Sequence, residues 1–82
     1  MYLAKIYVSL KPTVNDPQGL TIKGGLHSLG FNSVSDVRSG KYIEIKLTDN
    51  DIEQAKKNVQ DMCIKLLSNP VIETFRFDIE KC

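Results

Sequence analysis

The feature that most narrows the fold lies at the midpoint of the 82 residues, in Asp36-Val37-Arg38-Ser39-Gly40-Lys41-Tyr42-Ile43-Glu44-Ile45. From Lys41 to Leu47 the chain alternates. Ile43, Ile45 and Leu47 fall on one side, and Tyr42, Glu44 and Lys46 on the other. A period of two is the pattern of a strand with one buried face. Ser39-Gly40, just ahead of it, reads as a two-residue hairpin turn, since Gly accepts the positive φ that tight turns need. Val34 and Val37 then belong to the partner strand, and Arg38 and Lys41 flank the tip. A bulge in one long bent strand is the alternative.

Tyr2 to Leu10 alternates as well, with Tyr2, Ala4, Ile6, Val8 and Leu10 on the core side. Asp16-Pro17-Gln18-Gly19 is a helix start, because Asp16 can accept from free backbone amides and Pro17 suits a position that needs no N–H. Ile22, Leu26 and Leu29 follow at helical spacing, and Gly30 is a natural C-terminal cap. Phe31 to Arg38 is expected to form a second strand. Asp51, with Gln54 three residues on, resembles a capping box. Ile52, Ala55, Val59, Met62, Cys63, Leu66 and Leu67 then repeat as one helical stripe, which Asn69-Pro70 stops. Val71 to Ile79 is a last strand, with Phe75, Phe77 and Ile79 on one side.

The order β-α-β-β-α-β predicts an α+β, ferredoxin-like two-layer sandwich, an antiparallel sheet with two helices on one face. Eighty-two residues are read as a single domain spanning 1–82. A chain this short buries only about 60–65% of its unfolded surface, so pairing with another chain would help it. Net charge is +1, which gives no electrostatic drive towards nucleic acid or anionic lipid. No apolar run reaches the ~18 residues of a membrane span. The chain opens directly on a strand-like segment, read as lacking a signal peptide. Cys63 and Cys82 do not suggest a disulfide scaffold, and a reducing cytoplasm is expected.

These residues offer no catalytic constellation. His27 stands without a second His or a Cys at metal-ligand spacing and is read as structural. Asp49 and Asp51 are explained by helix capping. Gly24-Gly25 and Gly40-Lys41 lack the rest of a phosphate-binding loop. Cys63 belongs to the core, where a thiol is inert. No catalytic residue, cofactor or metal is therefore expected. A rival reading is an RNA-recognition-type binding module, since that family shares the element order and Ile6-Tyr7-Val8 looks like its first-strand motif. The third strand should then carry a basic-Gly-aromatic-small-aromatic run, and Gly40-Lys41-Tyr42-Ile43 supplies one aromatic only. A small-molecule regulatory domain of similar topology is a third class, without a legible ligand loop.

Val8-Ser9-Leu10-Lys11 with Asp16-Pro17-Gln18-Gly19, then Leu26-His27-Ser28, then Asp36 through Glu44, closely resemble the PurS family. So does the ending Met62 through Glu73. The match spans nearly the whole chain with the right spacing. Gly24-Gly25 departs from the family, where better helix formers are common. The resemblance implies a non-catalytic small subunit of phosphoribosylformylglycinamidine (FGAM) synthase, in de novo purine synthesis. It implies two partners: a glutaminase subunit that releases ammonia and an ATP-dependent synthetase subunit that makes formylglycinamidine ribonucleotide from formylglycinamide ribonucleotide. The small subunit would bridge them, assist ammonia transfer, and have no active site of its own.

Two surfaces follow as expectations. Leu3, Tyr7, Tyr42 and Ile72 lie on the sheet face away from the helices and are assigned to self-association, as a homodimer or a higher even-numbered oligomer. Asp36, Arg38, Lys41 and Tyr42, around the central turn, are assigned to contact with a partner subunit or a second copy of this chain.

Overall fold

A computed structural model describes residues 1–82 as a three-stranded antiparallel sheet with two helices. The elements run β1 (Tyr2–Leu10), α1 (Pro17–Ser28), β2 (Gly40–Leu47), α2 (Ile52–Met62), a π-helical turn (Cys63–Leu67) and β3 (Glu73–Lys81). The strand order is β2-β1-β3, with β1 central and antiparallel to both neighbours. This is α+β and consistent with the ferredoxin-like arrangement, with one strand fewer than the sequence suggested.

The missing strand is Phe31–Arg38. It forms no ladder, and Ser39-Gly40 is neither a hairpin tip nor a bulge: Gly40 already pairs with Ser9 as the first residue of β2. Side chains take up the donors that a ladder would use. The Asp36 carboxylate accepts from Val37 N at 2.9 Å, and the Asp16 carboxylate accepts from Ser39 N at 2.7 Å. Gly40 is required for a different reason than a turn. A Cβ there would lie 2.5 Å from the Val8 carbonyl oxygen, closer than β1 and β2 allow.

The even positions of β1 form the core. Ala4, Ile6 and Val8 meet Leu47 from β2 and Ala55, Val59 and Cys63 from the second helical segment, with Phe75, Phe77 and Ile79 of β3 packed beside them. Asp51 caps α2, accepting from Glu53 N at 3.1 Å, while Gln54 Nε2 donates to Asn58 Oδ1 and closes no capping box. The helix widens after Met62. Ser68 N and Ser68 Oγ both donate to the Cys63 carbonyl, at 3.0 and 2.8 Å, an i→i+5 closure that turns Leu66 out to 83% exposure.

The first helix also forms as its sequence dictates. Asp16 caps its start by accepting from Gly19 N. At its end, Gly30 takes φ +96°, Gly30 N donates to His27 O, and Phe31 N donates to Leu26 O. That pair of bonds is a Schellman closure, which needs the left-handed glycine. Only Gly19 of α1 is buried. Leu20, Ile22 and Leu29 stay exposed, and α1 packs on no other element to the extent that α2 packs on the sheet. A nine-residue strand spans about 30 Å and a twelve-residue helix about 18 Å. Placed end to end they account for the long axis of a molecule measuring 50 × 27 × 14 Å.

Candidate functional site

β1 ends, and β2 and β3 begin, at one end of the sheet, and α1 starts there. A cleft of about 450 Å³ opens at this junction, lined by Ser9, Asp16, Gln18, Ser39, Lys41 and Glu73 among others. Asp16 is its buried anchor, only 4% exposed. One carboxylate oxygen accepts from Gly19 N at 3.0 Å and the other from Ser39 N at 2.7 Å, and the Ser39 hydroxyl donates to both at 3.1 Å. Hydrogen bonds from the Ser39 and Gly19 backbone amides hold the Asp16 carboxyl below its ordinary value. Arg38 completes the junction. Its Nη2 donates to Lys11 O at 3.0 Å and Val14 O at 2.8 Å, tying down the loop before α1.

The four residues assigned to a partner surface are not brought onto one face. Asp36 is exposed in the segment before β2, and Arg38 turns back to the Lys11 and Val14 carbonyls. Lys41 shares the core-side parity of Ile43 and lines the cleft, whereas Tyr42 points to the opposite face of β2. The self-association set is better gathered. Leu3, Tyr7 and Tyr42 share the sheet face away from α2, and the Tyr7 and Tyr42 rings lie 5.0 Å apart. Ile72 lies in the turn just before β3, 39% exposed, and its carbonyl accepts from Lys11 N at 2.8 Å.

That open face has chemistry the sequence did not assign. The Arg76 guanidinium stacks over the Tyr7 ring at 4.0 Å, a cation–π contact made possible by the Tyr7–Arg76 register. Lys5 Nζ lies 2.9 Å from Glu80 Oε1, and the Tyr42 hydroxyl donates to Glu44 Oε2 at 2.9 Å. The bond to Glu80, and its charge, raise the Lys5 pKa; desolvation first, then Glu44, raise that of Tyr42. The face is thus aromatic at its centre and internally charge-paired at its flanks. Strand parity carried part of this, since Thr74, Arg76 and Asp78 share Tyr42's outward alternation. The register that sets Arg76 against Tyr7 had no local sequence signal.

The other candidates lie apart. His27 Nε2 donates to Val34 O at 2.8 Å. Asp51 caps α2, and Asp49 accepts from Asn58. Cys63 is fully buried, and desolvation raises its thiol pKa. No helix is long and apolar enough to cross a membrane.

Comparison with known proteins converges on one family. The family model described as PurS: Phosphoribosylformylglycinamidine (FGAM) synthase matches residues 3–81. The chain is 47% identical, over 99% of its length and 95% of the relative's, to phosphoribosylformylglycinamidine synthase subunit PurS of Bacillus subtilis (strain 168). Its fold superposes with a TM-score of 0.89 on PurS of Methanocaldococcus jannaschii, one of the subunits of formylglycinamide ribonucleotide amidotransferase in the purine biosynthetic pathway. The two are 41% identical, and the match covers 100% of this chain and 99% of that one. A chain in the structure of PurLQS from Thermotoga maritima matches with a TM-score of 0.85 at 28% identity, covering 98% and 99% of the two chains. With a family model spanning all but its outermost residues, and with full-length relatives of the same name, this chain belongs to the PurS family.

Proposed function

We propose that this chain is the small, non-catalytic subunit of FGAM synthase in purine biosynthesis, acting in the cytoplasm to join a glutaminase subunit to an ATP-dependent synthetase subunit. The observation that carries this is the full-length kinship with PurS chains, one of them from a PurLQS structure. The shape supports it. Only 10 of 82 residues are buried, and the radius of gyration is 16.2 Å. A compact domain of this length would have about 12 Å. A chain so extended keeps most of its surface for neighbours, and Leu20, Ile22, Leu29, Phe31 and Leu66 are apolar surface with no partner in the same chain. An even-numbered oligomer of this chain would cover part of it. The RNA-recognition alternative is not favoured, because its motif is incomplete and the kinship lies elsewhere.

The physical role of such a subunit is geometric. Ammonia freed at one site is protonated and lost in water unless the second site is docked and aligned. A bridging chain stabilises the docked state and needs no chemistry of its own. The test is formylglycinamidine ribonucleotide production with glutamine or with ammonium salt, each with and without this chain. Glutamine-dependent synthesis is expected to require it, and ammonium-dependent synthesis to depend on it much less. Equal glutamine-dependent rates with and without the chain would overturn the proposal.

A further inference from the structure

The segment from Pro17 to Ser39 is an arm with its root at the end of the sheet where β2 begins. It consists of α1 and the returning strand-free stretch, which run side by side. His27 Nε2 meets Val34 O at 2.8 Å near the tip, and Gly19 sits against Val37 near the root. The arm buries little against the sheet, so packing does not set its angle. Asp16 holds the first turn of α1 through Gly19 N and the residue before β2 through Ser39 N and Oγ, one carboxylate bridging both limbs of the arm. A Cβ on Gly19 would approach Val37 O to 2.3 Å, so α1 and the returning stretch are as close here as backbone allows.

We propose that the Asp16–Gly19–Ser39 clasp is a positioning device. It sets the angle of the α1 arm to the sheet, and through it the spacing between subunits that this chain joins. The proposal rests on the bridging function above. Asp16 touches no reacting group and acts by fixing distance. A neutral amide at position 16 separates this role from helix capping. Asn caps a helix about as well as Asp, so α1 keeps its start. Its Nδ2, however, would face the Ser39 amide as a second donor, and the clasp would open there. Gly19→Ala opens the same root independently by steric contact, while improving intrinsic helix propensity.

The experiment measures distance and activity on the same variants. Spin labels go on Cys82, the exposed native thiol at the far end of the sheet, and on Ser28→Cys near the arm tip. Labelled chain is diluted into excess unlabelled chain, so that only distances within one chain are read. The parent is expected to give one narrow distance distribution, and Asp16→Asn and Gly19→Ala broad ones. In the reconstituted three-subunit complex, glutamine-dependent synthesis should fall by about tenfold or more, as misalignment on the ångström scale does. Ammonium-dependent synthesis should hold. Narrow distributions in both variants would overturn the clasp. Broad distributions with an undiminished glutamine-dependent rate would overturn its positioning role. A parent chain that fails to stimulate glutamine-dependent synthesis would count against the bridging function, and the distance measurement would still decide the clasp.

Discussion

Asp16 shows how one carboxylate can close a fold with little core. Its cap of α1 is legible from Asp-Pro-Gln-Gly, because capping is local. Its bond to Ser39, 23 residues away, is not legible, because nothing in either residue signals that two loops meet. The bond has a pH signature. The carboxyl is held below its ordinary 3.8, so its contribution to stability is fully present above that value. It is lost as pH falls through the depressed folded value. Thermal melts from pH 7 downward should therefore show a decline confined to the acid side of about pH 4, and shallower in Asp16→Ala. An identical acid profile in that variant would remove Asp16 from the account. The two thiols give a second residue-scale test. Cys82 is exposed, whereas burial raises the Cys63 thiol pKa and shields it from reagent. One thiol per chain should react promptly with a disulfide reagent at neutral pH and the second only on unfolding. Two prompt thiols would contradict the core described here.

At the scale of elements, the alternating runs and the stripe as far as Cys63 match the structure, since a half-buried strand or helix writes its period into the sequence. Phe31–Arg38 does not, because two valines at odd spacing say nothing about whether a ladder partner exists. The end of the second helix departs too: the stripe includes Leu66, but the π-helical widening closed by Ser68 turns it outward. Ile6 and Leu66 should accordingly respond very differently to truncation. Ile6→Ala removes a fully buried side chain under α2 and should cost about 2–5 kcal/mol in urea unfolding. Leu66→Ala should change the stability of the single chain by less than about 0.5 kcal/mol. Equal costs would mean that the stripe is continuous after all. The partner-surface residues belong to this scale as well. Lys41 and Tyr42 lie on opposite faces of β2, a consequence of strand parity, and Arg38 is engaged with loop carbonyls. Replacing Arg38 therefore tests the root of the arm, and Lys41 and Tyr42 test two separate surfaces.

The whole molecule is a thin sheet with one covering helix and a long arm, 50 Å from end to end. The sequence indicated the thin core through length, and the apolar sheet face through alternation. The projecting arm was hidden, because the stripe of Ile22, Leu26 and Leu29 reads the same whether it packs on its own sheet or on another chain. An extended chain with this much apolar surface should self-associate. Sedimentation at micromolar concentration should show an even-numbered oligomer, and a clean 9.2 kDa monomer would contradict that. The bridging role is tested most directly by native mass spectrometry of the glutaminase and synthetase subunits, mixed with and without this chain in the presence of glutamine. A complex holding all three polypeptides should form with the chain present, and the two large subunits should remain apart without it. A glutaminase–synthetase complex that forms equally well in its absence, or one that never takes it up, would contradict the bridge.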